Sequence, residues 1–239
     1  MEATMINLKW VSKKTGFLSA ILMGCPLSAG GATISARAEQ TEQTRWEELL
    51  EQYQDVSDTD RLIFVKCQAE SKAQLEMYKK VRKNGENTWQ KILSCGAYIG
   101  KSGIDKEKEG DMKTPTGTFW ITSAFGIKNN PGTELSYTKV NKYLYWSEEE
   151  DTYNQLVDVR TLGREKMEGE HLIDYKPSYN YAMVIGYNPE CVYGKGSAIF
   201  LHVKSRKLYT SGCVAVSQAN MKRILKNATE KTRICIYEE

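Results

Sequence analysis

The sequence predicts a mostly β protein with a few short helices. From residue 62 onward, short runs rich in β-branched and aromatic residues recur, and polar turns separate them. An Asn84-Gly85 pair, typical of a hairpin turn, lies between two of these runs. Helical spacing is confined to short stretches near residues 46–53 and 217–225. Successive short strands with polar turns favour an all-β domain over alternating α and β elements.

The first 38 residues have the organisation of a secretory signal peptide. Lysines within residues 9–14 precede a short apolar run at residues 17–23, and small residues continue to Ala38. This run is too short to favour a membrane span. We therefore expect export to the cell envelope or its extracellular face, with cleavage after Ala38. Residues 22–25 loosely resemble a lipobox, so a lipidated Cys25 or an uncleaved signal is an alternative that would tether the protein to a membrane.

The charge balance gives no support for a nucleic-acid partner. The chain carries 33 Lys and Arg residues against 30 Asp and Glu residues. The signal segment holds four of the basic residues and one of the acidic ones, so its removal leaves the remainder near neutrality. A nucleic-acid-binding domain is typically strongly basic, and we expect no such partner here.

An odd number of cysteines remains after the signal segment. In an oxidising compartment four of the five could form two disulfides and leave one thiol free, or all five could be reduced core residues. The spacing Cys-x-x-Cys does not occur, which argues against a zinc finger or a thioredoxin-type redox motif. The five residues are Cys67, Cys95, Cys191, Cys213 and Cys235.

Residues 39–60 are polar but contain a helical pattern. Trp46, Leu49, Leu50 and Tyr53 recur at intervals of three and four residues, which predicts a short amphipathic helix. This helix either packs on the following domain or acts as a spacer. We place the domain itself at residues 61–239.

Within that domain the first three predicted strands span residues 62–65, 74–81 and 89–93. Residues 100–103, Gly-Lys-Ser-Gly, are not followed by the helix pattern that a phosphate-binding loop requires. Residues 114–117, Thr-Pro-Thr-Gly, predict a turn in which proline fixes one φ angle and glycine permits an unusual one. Near the end, Ser217 can cap a short helix and residues 232–237 predict a closing strand.

The best candidate site lies in the last sixth of the chain. An apolar run at residues 199–203 carries His202 near its end, and after a polar loop Cys213 starts a second apolar run eleven residues later. If the loop turns the chain back, the thiol lies beside the imidazole, where a thiolate–imidazolium pair would be nucleophilic. Gly212 would let a substrate carbonyl approach closely, and the N–H groups of Gly212 and Cys213 would stabilise an oxyanion.

The same residues resemble a known family. His202, a spacer and then Ser211-Gly212-Cys213-Val214 are similar to the active-site signature of the L,D-transpeptidase family, the YkuD-like catalytic domain. The Lys-Thr-Pro-x-Gly-x-Phe segment at residues 113–119 and the segment at residues 194–202 also resemble this family. The resemblance covers roughly residues 61–239 and implies a mostly β fold built around a curved sheet or sandwich.

The resemblance implies acyl transfer on peptidoglycan stem peptides. This reaction forms L,D cross-links through a thioester intermediate. In this scheme Cys213 is the nucleophile and His202 is the general base. Either Ser211 or a local carbonyl orients the imidazole. No step requires a metal or an organic cofactor. Three further residues are expected to contact substrate or to have structural roles instead, namely His171, Tyr187 and Asn188.

One departure from the family pattern affects substrate binding. Many members carry an arginine shortly after the cysteine, suited to holding a substrate carboxylate. Here residues 214–216 are Val-Ala-Val, so either another cation binds the carboxylate or the substrate differs. Two alternative functions stay open: an L,D-carboxypeptidase or other peptidoglycan peptide hydrolase, and a non-catalytic wall-binding module. A papain-like protease is disfavoured because histidine here precedes cysteine.

Overall fold

The computed structural model describes residues 44–239. The predicted signal peptide at residues 1–38, the lipobox-like Cys25 and the first part of the 39–60 segment lie outside the described residues. Within residues 44–239, no helix is long and apolar enough to cross a membrane.

The described chain folds into twelve strands and two α-helices, which confirms the predicted mostly β class. A few 3-10 turns connect them. The elements are α1 (Arg45–Gln54), β1 (Arg61–Cys67), β2 (Lys72–Lys83), β3 (Glu86–Tyr98), β4 (Gly117–Gly126), β5 (Tyr137–Lys139), β6 (Leu144–Ser147), β7 (Leu156–Asp158), β8 (Gly169–His171), β9 (Ala182–Ile185), β10 (Phe200–Val203), β11 (Val214–Val216), α2 (Gln218–Asn227) and β12 (Thr232–Glu238).

Nine strands form one strongly curved sheet. Its order is β12-β1-β2-β3-β11-β10-β9-β4-β5, and β12 also pairs with β4, so the sheet curls until its two sides meet. The first half of β4 pairs with β12 and its second half with β9. Strands β7, β6 and β8 form a separate small sheet. Closing the main sheet removes most of its exposed edge and encloses one apolar core.

Local sequence accounts for the long β2–β3 hairpin. Asn84 and Gly85 have φ angles of +51° and +86°, the left-handed pair that a two-residue hairpin turn requires. The strands then stay in register except for one irregularity after Met77.

Helix α1 packs on the outside of the main sheet. Thr44 caps it, and Glu47 completes a capping box by accepting from the Thr44 backbone N–H. Leu49 and Tyr53 are buried in a second cluster against β1, β2 and β12. The predicted helix is therefore present, and it packs on the sheet rather than standing apart as a spacer.

The strands that carry the candidate site differ from the prediction in one respect. Strands β10 and β11 pair in parallel, with Leu201 opposite Val214. The chain therefore does not simply reverse after His202. Residues 204–213 return to the starting end of the sheet, and Thr210 is held on the way by hydrogen bonds with Ile99 and Lys101. Parallel pairing requires such a crossover, because both strands must be entered from the same end.

Candidate active site

A cavity of about 390 Å³ opens where the crossover loop meets strands β10 and β11. Cys213 and His202 both lie in its wall, so the structure brings the two principal predicted residues to one site. The wall also contains Ser211. Glu170 and Tyr179 also line the cavity, although neither was among the predicted site residues.

The orientation of His202 fixes which ring nitrogen can act as a base. The residue lies on β10 between Ala182 and Ala215 and is 8 % exposed. Its Nδ1 is 2.8 Å from the carbonyl oxygen of Val203. A carbonyl can only accept, so Nδ1 carries the proton and Nε2 keeps its lone pair. The local carbonyl, and not Ser211, thus orients the imidazole.

Burial keeps this imidazole neutral. Loss of solvation lowers the pKa of His202 to about 4, and the hydrogen bond to Val203 opposes this only in part. The ring of Tyr179 packs edge-on against the imidazole at a centroid distance of 5.6 Å. At neutral pH the ring is therefore an uncharged base.

Cys213 lies just before β11 and points its thiol toward the turn before β10. Its Sγ donates to the carbonyl of Ala198 at 3.2 Å and accepts the N–H of Phe200 at 3.3 Å. Burial, followed by the charge of Glu170, raises the pKa of Cys213 to about 12. The raised pKa and the hydrogen bond to the Ala198 carbonyl favour a neutral thiol over the thiolate of the predicted ion pair.

The backbone around Cys213 differs from the predicted oxyanion pair. The N–H of Gly212 donates to Thr210 Oγ1 at 3.2 Å, and this hydroxyl donates to the Cys213 carbonyl at 2.6 Å. Thr114, from the Thr-Pro-x-Gly segment, donates to the same carbonyl at 3.4 Å. Within the described chain, the N–H of Cys213 forms no such bond. The Gly212 N–H is thus already engaged, which leaves the Cys213 N–H as the donor for an oxyanion.

Gly212 is required for packing within the protein. Its φ angle is +155°, and a Cβ there would lie 2.9 Å from the carbonyl oxygen of Lys113 and 3.1 Å from Ile199 Cδ1. The space beside Gly212 is therefore occupied by the 113–119 segment and is not open to a substrate. The same segment is braced by a buried ion pair at 2.8 Å between Lys106 and Asp111.

His171 lies outside this cavity wall and has a structural role. Its Nδ1 is 2.7 Å from Asp174 Oδ2 and its Nε2 is 2.8 Å from the Lys142 carbonyl. The ring stacks on Tyr145 at a centroid distance of 4.4 Å. Both nitrogens are occupied and the residue does not line this cavity, which favours the structural alternative.

Tyr187 and Asn188 are also absent from the wall of this cavity. The Tyr187 hydroxyl donates to the Lys195 carbonyl at 2.9 Å. Asn188 is 2 % exposed, and its Nδ2 donates to the carbonyls of Val192 and Gly196 at 3.0 and 3.1 Å. Both residues hold the loop that precedes β10, which agrees with the structural alternative.

Glu170 is the functional candidate that sequence reasoning missed. It is half-buried, and Tyr179 donates a hydrogen bond to its Oε2. Burial raises the pKa of Glu170 to about 7. The sequence analysis selected its neighbour His171, but successive residues of β8 face opposite sides, and residue 170 is the one that reaches the cavity. The only sequence signal was its position directly before His171 in the chain.

Two cations stand at the cavity wall. Lys101 Nζ lies 5.6 Å from the centre of the Tyr209 ring, and Lys207 Nζ lies 5.8 Å from it. All three residues line the cavity. They supply positive charge to a site in which Cys213 is not followed by an arginine.

The remaining cysteine and metal predictions can be compared with residues 44–239. There the five cysteines are all free thiols, so the two possible disulfides are not formed in this structure. Over the same residues, no group of three or more His, Cys, Asp or Glu side chains is arranged to hold a metal ion.

A family model described as YkuD, L,D-transpeptidase catalytic domain, matches residues 70–236. This range includes every residue described above in the cavity wall. A search of curated proteins finds no match.

Proposed function

Because the chain belongs to the L,D-transpeptidase catalytic domain family, we propose that it forms L,D cross-links between peptidoglycan stem peptides by cysteine acyl transfer. The observation that carries this proposal is the shared cavity of Cys213 and His202, in which Nε2 of the imidazole is left unprotonated. A buried thiol and a free imidazole base in one cavity are the two groups that thioester formation needs.

In the first step the Cys213 Sγ attacks the carbonyl carbon of the third stem residue. His202 Nε2 takes the thiol proton as the carbon–sulfur bond forms, because the resting pair is neutral and no thiolate is stored. The Cys213 N–H stabilises the negative charge that develops on the carbonyl oxygen. The imidazolium then gives its proton to the leaving amine of the terminal D-residue, and a thioester remains.

The terminal carboxylate of the donor peptide is bound by Lys101 and Lys207. These ammonium groups flank Tyr209 in the cavity wall. Lys207 is on the loop before Cys213, and Lys101 is on the segment whose backbone forms hydrogen bonds with Thr210 of that loop. They take the role for which many family members use an arginine. Two flexible point charges replace a rigid bidentate group, so the geometry demanded of the carboxylate is looser.

In the second step an amine of another stem peptide attacks the thioester and closes the cross-link. Water in its place would give a trimmed tripeptide, the reaction of an L,D-carboxypeptidase. The two outcomes share every residue of the first step and differ in the acceptor.

Mass analysis of muropeptides tests the proposal. Tetrapeptide muropeptides are incubated with the protein, with Cys213→Ala, and with Cys191→Ala as a matched control whose thiol is outside the cavity. We expect dimers lacking one terminal D-residue with the wild type and the control, and none with Cys213→Ala. Cysteine-dependent tripeptide alone would replace the proposal by a hydrolase. Absence of any cysteine-dependent product would favour a wall-binding module.

The role of the lysines has its own test. The double variant Lys101→Met/Lys207→Met should lower kcat/KM for a donor with a free terminal carboxylate by roughly ten- to a hundredfold, the value of charge-assisted contacts. With a donor whose terminus is amidated, the variant and the wild type should be equal. An equal loss on both donors would show that the lysines act on the fold instead.

We further propose that the protein is exported, on the basis of its signal-like first 38 residues. Amino-terminal sequencing of the protein from the cell envelope should begin at Glu39. A lipidated amino terminus at Cys25, or an intact one, would assign a membrane tether instead.

A further inference from the structure

Glu170 carries a carboxyl group that the first step of the proposed reaction does not use. Tyr179 donates to its Oε2, and within residues 44–239 its Oε1 receives no hydrogen bond. Every fully buried side-chain oxygen of this part of the chain has a partner, so Oε1 is not sealed off in the protein. Since Glu170 lines the cavity, this oxygen is open to a ligand there.

The groups that face Glu170 offer it no cation. In the described part of the chain, none of the ion pairs includes it. Glu148 and Glu109 are near enough for their charges to raise its pKa further. Tyr179 is hydrogen-bonded to it, and Tyr175 stacks on Tyr179 at a centroid distance of 4.9 Å. A half-buried carboxylate among other carboxylates lacks the compensation that buried charges normally have.

The same group is close to the reacting atoms. Tyr179, which binds Glu170, packs edge-on against His202. The charge of Glu170 is also the second cause, after burial, of the raised pKa of Cys213. An anion at this place opposes thiolate formation, so it does not serve the first step. It is suited to a cation that arrives once the sulfur is acylated and carries no charge.

We propose that Glu170 is the acceptor site, whose carboxylate binds the ammonium group of the incoming amine and removes one proton from it. The inference rests on the proposed acyl transfer and names the chemistry of its second substrate, a primary alkylammonium group. Glu170 is then a catalytic residue of the transfer step only.

The protons balance in the following way. The ammonium gives one proton to Glu170, and the freed nitrogen lone pair attacks the thioester carbonyl. The new carbon–nitrogen bond forms and the carbon–sulfur bond breaks, with the second proton passing through His202 Nε2 to the departing sulfur. The products are an amide, the Cys213 thiol and a protonated Glu170, which returns its proton to solvent. No oxidant or further reactant is needed.

Hydrolysis of the same thioester needs neither ammonium binding nor removal of a proton from a cation. The variant Glu170→Gln keeps the size of the side chain and an acceptor for Tyr179 but removes the charge. It should therefore separate transfer from hydrolysis. Glu168→Gln is the matched control, since Glu168 is an exposed carboxylate two residues away that does not line the cavity.

The test uses a tetrapeptide muropeptide as donor and Nα-acetyl-lysine amide as the amine probe. Intact-mass measurement follows acylation of Cys213 without the probe, and product analysis counts amide and tripeptide with it. Since the opposing charge is removed, we expect Glu170→Gln to acylate at least as fast as the wild type and to release tripeptide. It should form amide about a hundredfold more slowly, the usual scale of general base catalysis. Glu168→Gln should match the wild type in all three measurements.

Three results would overturn the inference while leaving acyl transfer intact. They are an equal fall in acylation and amide formation, unchanged amide formation in Glu170→Gln, and a wild-type protein that only hydrolyses its thioester. A wild type that never acylates Cys213 would overturn the proposed function as well, and the intact-mass measurement identifies that case separately.

The pH profile provides a readout that a purely structural role would not change. Burial raises the pKa of Glu170 to about 7, so the ratio of amide to tripeptide in the wild type should rise with an inflection near pH 7. In Glu170→Gln this inflection should be missing. The rise caused by deprotonation of the probe amine, whose pKa is about 10, should remain in both proteins. The same inflection in both proteins would contradict the assignment.

Discussion

Replacing Glu170 by Gln should make the protein more stable at alkaline pH. In the folded protein, burial raises the pKa of Glu170 to about 7, although the Tyr179 hydrogen bond opposes the shift. In the unfolded chain the carboxyl group has its ordinary pKa of about 4.3. Above pH 7 the folded state therefore holds a poorly solvated charge that the unfolded state solvates fully, and this lowers the free energy of unfolding.

The size of the effect follows from linkage between proton binding and folding. A pKa raised from about 4.3 to about 7 corresponds to about 4 kcal/mol, at about 1.4 kcal/mol per unit. Because the folded state binds the proton more tightly, the cost is complete above pH 7. It shrinks as the pH falls through 7 and disappears below about 4, where both states are protonated. Glu170→Gln, which cannot ionise, should gain about 4 kcal/mol at pH 8 and almost nothing at pH 4.

Urea titrations of the wild type, Glu170→Gln and Glu168→Gln at both pH values, followed by tryptophan fluorescence, measure this difference directly. The protonation of His202 at low pH affects all three proteins equally and cancels in the comparison. Glu168→Gln should lie within about 0.5 kcal/mol of the wild type, as exposed substitutions usually do. A Glu170→Gln protein no more stable than wild type at pH 8, or equally stabilised at both pH values, would refute the reasoning. The assay is independent of any substrate.

Three further outcomes are expected. Alkylation of Cys213 by iodoacetamide, followed by peptide mass analysis, should accelerate about tenfold per pH unit between pH 7 and 9, because its pKa is raised to about 12; a plateau would reveal a resting ion pair. Gly212→Ala should lose about 1–3 kcal/mol of stability in a urea titration, because the new Cβ would lie 2.9 Å from the Lys113 carbonyl oxygen; an unchanged midpoint would contradict this. Leu49→Ala should cost about 2–4 kcal/mol, because the side chain packs in a buried cluster; no loss would mean that helix α1 unfolds independently.

Much of the fold could be predicted because its determinants are local. The Asn84-Gly85 pair specifies a hairpin through the left-handed φ angles that these residues tolerate. Thr44 and Glu47 cap α1, and the spacing of Leu49 and Tyr53 gives the helix its buried face. Each of these signals lies within a few residues of the structure that it determines.

The two principal site residues were also predictable, but their state was not. Cys213 and His202 could be selected from residue type, from their spacing and from their match to the family signature. Their protonation depends on burial among residues distant in the chain, which favours two neutral groups over the ion pair expected from the sequence. The local choice between Ser211 and a carbonyl was decided only by the position of Val203.

The sequence by itself therefore determined the β class, the hairpin, the capped helix and the choice of Cys213 and His202, which lie together in the cavity wall. The tertiary structure alone decided that β10 and β11 run in parallel, because alternation and loop length do not encode strand direction. It also decided that Glu170 rather than His171 reaches the cavity. Strand β8 is three residues long, too short for a period of two to be read from it, and its facing is set by pairing with β6.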